Sequence, residues 1–373
     1  FFFFKQKTAY EIYQCDWSSD VCSSDLLHLH GFQRRHGLRH HHCRAAVATS
    51  RFVSNGILTV NRVSASALPW LGLVLLLVPL ALGNDYVLHM LCLWVLYSLL
   101  ALSLNIVVGF LGELTFGHAA FFGVGAYTSA LLVMQAGWPL WLAPLAGAAL
   151  AGLLGWLIGH VSLRIIGPQF AILTLGFGAI TLTITHYWVD VTRGPMGLSQ
   201  IPAFALPALS WDFSRAAHMY PLALLLLGLV LYGCHALQHS RSGRAFVALR
   251  ENPALAESIG VDVFRTKLQG FVAATALAGF SGALYAHYLR VITPELMSLS
   301  YMSAMLIMVV VGGKGSLIGP VLGALLYTFL LEALRTTGTW RMVVFAALLI
   351  TCVVFFPGGL VSLWRRRRAE GGS

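Results

Sequence analysis

The densest set of residues able to do chemistry lies near the start of the chain. His28, His30, His36, His40, His41 and His42 stand among Arg34, Arg35, Arg39 and Arg44. Imidazoles this crowded can hold a transition metal, so a metal-binding arm is one reading. The other reading is translated leader DNA, and the neighbouring residues favour it. Residues 5–12 and 16–26 back-translate into two stretches of a common sequencing adapter, with index bases between them. On this reading residues 1–26 are an artefact of library preparation and 27–66 are leader or read-through, with a native start near Val53, Val60 or Val63. No Met precedes Met90.

Beyond this arm the chemistry is thin. The sequence holds no phosphate-cradling GxxxxGK[ST], no H-E-x-x-H and no G-x-S-x-G elbow. His186, His218 and His235 fall near the ends of apolar runs, where an interfacial role outweighs metal ligation. Glu113 and Glu332 sit at the edges of theirs. A carrier driven by protons or sodium shows ionisable residues inside its spans, and an intramembrane enzyme needs several converging at one depth. Their near absence places the driving energy outside this chain. The six cysteines have no paired spacing, so neither a disulfide framework nor a zinc site is indicated.

The informative stretch is R-S-G-R-A-F-V-A-L-R-E-N-P-A-L-A-E-S-I-G-V-D, residues 241–262. Asn252 can cap a short helix over residues 254–259, with Pro253 at its first position, where the missing N–H costs nothing. Gly260 is placed to end it in a left-handed turn. Residues 244–250 suit a second short helix with Phe246 and Leu249 on one face. Two such helices in a charged loop are read either as a docking element for a partner or as a helix pair lying on anionic lipid.

The elements that carry this loop are legible from composition. Of 373 residues, 58% are hydrophobic and 10% charged, against roughly 25% charged in soluble domains. Mean hydropathy is +0.77. Soluble, disordered, coiled-coil and collagen-like classes are excluded. A net charge of +10 does not imply nucleic acid, because the basic residues lie in short segments between apolar runs. A span needs about 20 apolar residues. The sequence predicts spans near 67–83, 87–111, 117–134, 140–160, 170–188, 219–238, 268–289, 301–313, 317–334 and 341–361, an all-α polytopic transmembrane bundle of about eight to ten helices. The run at 301–313 is short enough to be re-entrant or broken, and 67–83 competes with a signal peptide. The transmembrane domain is then 67–364, followed by a basic tail, 365–373.

Arginine and lysine set the expected orientation. Arg365, Arg366, Arg367 and Arg368 place the C-terminus in the cytoplasm, and Arg241, Arg244, Arg250, Arg265 and Lys267 place loop 239–267 there too. Four spans separate the two, so they agree. Counting back puts 189–218 outside as an ordered loop rich in Gly and Pro, flanked by Tyr187, Trp188 and Trp211. Arg335 and Arg341 fall outside, against the rule. A glycine-rich interruption ending at Tyr127 is echoed by one ending at Tyr327. Paired interruptions point to a transport pathway; ordinary glycine-mediated packing explains them equally well.

Several stretches together resemble one family. They are L-N-I-V-V-G (104–109), F-G-H-A-A-F-F-G-V-G-A-Y (116–127), G-P-Q-F-A-I-L-T-L-G-F-G (167–178), T-R-G-P-M-G-L-S-Q-I-P (192–202), G-R-A-F-V-A-L-R-E-N-P-A-L-A-E-S-I-G-V (243–261) and V-V-G-G-K-G-S-L-I-G-P-V-L-G-A (310–324). The chain resembles the permeases of ATP-binding-cassette importers, and within them the subunits of branched-chain amino acid importers. The likeness covers most of residues 67–361. It implies a transport subunit of the bacterial inner membrane, without an ATPase site or cofactor of its own. ATP and Mg would be held by two separate cytoplasmic subunits. A second homologous permease subunit, an external solute-binding protein and the lipid bilayer complete the implied partners. Loop 239–267 is the implied coupling loop, with Arg244, Glu251, Asn252, Pro253, Ala256, Glu257 and Gly260 as contact residues. The family's Glu-Ala-Ala order is not literally present. Asn105, Gly117 and Thr174 are candidates to line the passage; helix-to-helix hydrogen bonding is the competing reading for all three. Arg193 departs from the resemblance, which implies a small residue, usually Gly, there. That puts the substrate range in question, and a small amide such as urea stays open beside leucine-like amino acids. A secondary carrier or channel and an integral membrane enzyme are the other classes.

Overall fold

Lipid offers a backbone no hydrogen-bond partner, so an apolar run crossing it must satisfy its own amides as a helix. The computed structural model describes residues 84–164, 169–206, 211–213 and 215–335. The expected spans 67–83 and 341–361, the segments 1–26 and 27–66, Arg341 and the tail 365–373 lie outside the described residues.

Helix α1, Asp85–Asn105, starts at Asn84, whose side chain accepts from the Tyr86 amide. It widens into a π-helical turn, Ile106–Leu111, and stops at Gly112 with φ +77°. Helices α2 (His118–Ala136), α3 (Ala143–Ser162) and α4 (Gln169–Tyr187) follow. A short α5 (Val189–Thr192), a 3-10 turn (Gly194–Met196), β1 (Leu198–Ser199), β2 (Ala205–Leu206) and β3 (Trp211–Asp212) form the next connection. Then come α6 (Ala216–His239), α7 (Arg241–Glu251), α8 (Pro253–Ser258) and α9 (Val263–Leu289). The described chain closes with β4 (Val291–Ile292), a 3-10 turn (Pro294–Met297), α10 (Leu299–Gly312) and α11 (Ile318–Ala333).

Among the described residues six helices are long and apolar enough to cross a membrane: α1 with its π-helical turn, α2, α3, α4, α6 and α9. The protein is thus an all-α polytopic bundle. The short run expected at 301–313 is the 14-residue α10, about 21 Å long at 1.5 Å per residue. That falls short of the roughly 30 Å hydrocarbon layer. It turns back through residues 313–317 into α11, and the two helices touch backbone to backbone. A Cβ on Gly312 would strike the Gly319 carbonyl, and one on Gly323 the Met308 carbonyl.

The core is α1, α2 and α9, with α3 laid across α9. Hydrophobicity does not drive one apolar helix onto another in lipid; close packing does, and small residues permit it. On α3, Gly147, Ala151, Gly155 and Gly159 recur every fourth residue and are all buried. Cβ atoms on Gly155 and Gly159 would strike Thr275 and Phe271 of α9. On α9, Gly279 and Gly282 lie against Gly125 and the Phe122 carbonyl of α2 in the same way.

Two contacts fix which connections share a side. Strand β1 pairs antiparallel with β4, Leu198 opposite Ile292, and the Ile201 amide donates to Arg290 O at 3.2 Å. The connection after α4 is therefore ordered, with Ile201 and Phe204 buried, and lies beside the end of α9. Tyr187 and Trp188, at the end of α4, are exposed. On the opposite side Arg250 reaches Gly109, and Lys267 pairs with Glu113 at 2.5 Å. Residues 189–206 and 240–262 thus lie at opposite ends of the bundle, which the alternation of basic residues requires. Ser199 and Ser258 are both exposed. A cysteine at position 199 should react with a membrane-impermeant thiol reagent from outside intact cells. One at 258 should react only after permeabilisation, and the reverse pattern would invert the topology.

Candidate functional site

Helices α7 and α8 form the element outside the bundle with the most exposed chemistry. Every helix start here is capped. Ser240 Oγ accepts from the Gly243 amide, Asn252 Oδ1 from the Leu255 amide and Asp262 Oδ1 from the Arg265 amide. Pro253 occupies the first position of α8. At its end Gly260 has φ +88°; its amide donates to Glu257 O, and the Val261 amide to Ala256 O. This paired closure is a Schellman motif, which needs the left-handed residue that glycine supplies. The expected cap, proline and terminator all stand where the local sequence places them.

The faces differ from expectation. Phe246 and Leu249 are buried in the protein's own body, with Phe246 beside Gly270 of α9. The apolar face of α7 therefore meets neither partner nor lipid. Ala256, one of the expected contact residues, is likewise buried. The apolar surface that remains open belongs to Leu255 and Ile259, one helical turn apart and 63% and 71% exposed. Sequence reasoning missed this pair, because its identity follows only once Ala256 is known to face inward. Glu257 is exposed too, on another side of the turn from this pair. Arg244 is exposed and donates to His239 O at 3.0 Å; Glu251 is exposed and pairs with Arg250 at 3.0 Å.

The base of this element is joined to the bundle at the end of α1. A helix end carries carbonyls with no intrahelical partner and a partial negative charge, which cations stabilise. Two cations gather here: Arg250 Nη1 donates to Gly109 O at 2.8 Å, and Lys267 pairs with Glu113. Deeper in, Asn105 grips the turn between α10 and α11 with both ends of its amide. Its Oδ1 accepts from the Gly315 amide and its Nδ2 donates to Ser316 O, each at 2.9 Å. Ser316 Oγ in turn accepts from the Gly319 amide at 3.0 Å. The two glycine-rich interruptions that echo each other in sequence therefore touch.

Asn105, Gly117 and Thr174, the candidates for the passage, are all buried. Thr174 Oγ1 accepts from the Phe116 amide at 3.2 Å, and a Cβ on Gly117 would strike the Thr174 carbonyl. Asn105 thus holds the turn between α10 and α11, Thr174 holds the residue before Gly117, and Gly117 itself is a close backbone contact between α2 and α4. His118 Nε2 lies 2.9 Å from Ser103 Oγ, and His287 Nε2 lies 2.8 Å from Ser129 Oγ. Among the described residues no three His, Cys, Asp or Glu side chains lie close enough to hold a metal ion.

Glycine-mediated packing and capped helices are common to membrane bundles of many kinds, and sequence comparison decides which kind this is. The family model described as "Branched-chain amino acid transport system / permease component" matches residues 86–353. The chain belongs to this family. Over 292 residues the permease is 35% identical to the high-affinity branched-chain amino acid transport system permease protein LivM of Escherichia coli (strain K12). That alignment covers 72% of this chain and 68% of the relative. The LivM protein of Salmonella typhimurium gives the same figures. The corresponding LivH protein of Escherichia coli is 28% identical over 71% of this chain and 91% of its own length. No solved structure matches the permease.

Arg193, the departure from the resemblance, has a backbone explanation. Its φ is +60°, in the left-handed region that glycine enters freely and other residues enter at about 1–2 kcal/mol. Glycine is the residue that this φ favours. The adjoining loop stays closed through Thr192, whose Oγ1 donates to Thr185 O, and through Gly194 and Gly197, both at positive φ.

Proposed function

We propose that this permease is the membrane-spanning subunit of an ATP-driven importer for branched-chain or similar hydrophobic amino acids. It gives alternating access while separate cytoplasmic subunits hydrolyse ATP. The observation that carries this reading is the α7–α8 element. A six-residue helix is too short to hold its shape alone, yet α8 is capped at both ends and presents Leu255, Glu257 and Ile259 outward. Rigid presentation of a small apolar face is what a docking element needs, and the chain has no nucleotide-binding motif of its own. Similarity to both LivM and LivH supports pairing with a second, related permease subunit. The substrate rests on those same relatives; another relative, 32% identical over 60% of this chain, is named as an autoinducer 2 import permease. An external solute-binding protein delivers the substrate, and the C-terminus is cytoplasmic.

Docking and lipid association make opposite predictions for one charge. Glu257→Lys reverses a charge facing the ATPase subunit, so uptake and stimulated ATP hydrolysis should fall together. Lipid association would be strengthened by the same change. A Cβ added at Gly260 meets no neighbouring atom within 4 Å, so Gly260→Val acts chiefly through backbone strain of about 1 kcal/mol or more in the α8 terminator. It should lower coupling more mildly. Full ATP-driven uptake by Glu257→Lys would remove the docking assignment.

A further inference from the structure

We infer that Arg250 is the positioning residue through which movement of α7–α8 reaches the membrane bundle; this rests on the coupling role proposed above. The sequence gives Arg250 no part beyond orienting the loop. In the structure it is the last basic residue of α7, and a single residue, Asn252, separates α7 from α8. A displacement of α8 therefore has no slack linker to be lost in.

The guanidinium donates from Nη1 to Gly109 O at 2.8 Å, a contact spanning 141 positions of sequence. Its other terminal nitrogen, Nη2, pairs with Glu251 at 3.0 Å. Around it the bundle is shaped to admit it. A Cβ on Gly112 would come within 2.6 Å of Arg250 Cγ, and one on Gly315 within 2.8 Å of Arg250 Nη1. Gly112 and Gly315 both have positive φ, +77° and +78°. Arg250 is thus lodged between the two glycine-rich interruptions. Both join beneath it through Asn105, whose Oδ1 accepts from the Gly315 amide and whose Nδ2 holds Ser316 O. The serine continues the chain to the Gly319 amide at the start of α11.

The receiving end is suited to movement. Gly109 lies in the π-helical turn, where the hydrogen-bond ladder is wider than in an α-helix and such turns often mark functional sites. Pulling on the Gly109 carbonyl shifts the end of α1 and, through Asn105, the turn between α10 and α11. Arg250 supplies both the charge and the planar fork for this; a lysine supplies the charge on a single point donor.

The test uses the assembled transporter in proteoliposomes, reading labelled leucine taken up per ATP hydrolysed. Arg250→Gln should retain its ATPase subunits through purification and hydrolyse ATP, yet spend at least about tenfold more ATP per leucine. Arg250→Lys should fall between it and the wild type. Arg265→Gln removes an exposed cation on the same side, paired only locally with Asp262, and should match the wild type. Amide exchange at 109–117 and 313–317 should change on ATP addition in the wild type and not in Arg250→Gln. An unchanged leucine-to-ATP ratio in Arg250→Gln overturns the inference, as does loss of ATPase subunits in step with uptake, which would make Arg250 a docking residue. If Arg250→Gln does not assemble, Arg250→Lys decides, and a wild-type ratio in it overturns the inference. Failure of ATP-dependent uptake in the wild type would instead sink the importer reading itself.

Discussion

Gly282→Val should abolish accumulation of folded permease, whereas Gly228→Val should leave it unchanged. Both glycines lie in long apolar helices, and sequence alone treats them alike. At Gly282 an added Cβ would strike the Phe122 carbonyl of α2 and come within 3.2 Å of the Ala126 amide. The obstacle is backbone, which cannot change rotamer, so α9 and α2 must part. Overpacking a core that can adjust costs about 1–3 kcal/mol. Here the cost lies at or beyond the upper end, against a total stability of about 5–15 kcal/mol. Gly228 of α6 has no atom within 4 Å of its added Cβ. The check is the monodisperse fraction after detergent extraction and its thermal midpoint. Equal behaviour of the two variants would refute the packing of α9 on α2.

Replacing Leu255 and Ile259 together by Asp should strip the ATPase subunits from the permease and bring uptake to background. Burying an aliphatic side chain contributes about 1.5–3 kcal/mol, so losing two removes about 3 kcal/mol or more. At 1.4 kcal/mol per decade that is a loss of binding of about a hundredfold or greater. The two side chains are exposed in the isolated subunit, so its own folding should be unaffected. Glu251→Ala, at an exposed residue ending α7 and paired with Arg250, should cost little, because solvated ion pairs contribute about 0–1 kcal/mol. Co-purification with tagged ATPase subunits reads both variants. Wild-type retention by the double variant would show that α8 is not the contact.

What the sequence made legible was local. Span positions follow from apolar length, and α1, α2, α3, α4, α6 and α9 lie where hydropathy puts them. Asn252, Pro253 and Gly260 were readable because a cap, a first-turn proline and a left-handed terminator act within a few residues. What stayed hidden was long-range. The Asn105 grip on Gly315 joins residues 210 positions apart, and nothing in either segment alone announces it. Phe246 and Leu249 were recognisable as one face of α7, but periodicity does not say which surface covers a face; their own bundle does. Arg193 stood out as a departure, and its φ of +60° shows why glycine suits the position. The two echoing interruptions could be read as packing or as pathway. Their contact through Asn105 makes them one joint, placed directly under Arg250.

The most direct test of this account is uptake of labelled leucine into proteoliposomes holding the complete transporter, with its external binding protein present. Leucine should accumulate when ATP is supplied on the side bearing Ser258, and not when ATP is supplied only on the side bearing Ser199 or withheld. Concentrative uptake by this permease without ATP or its ATPase subunits would contradict the account.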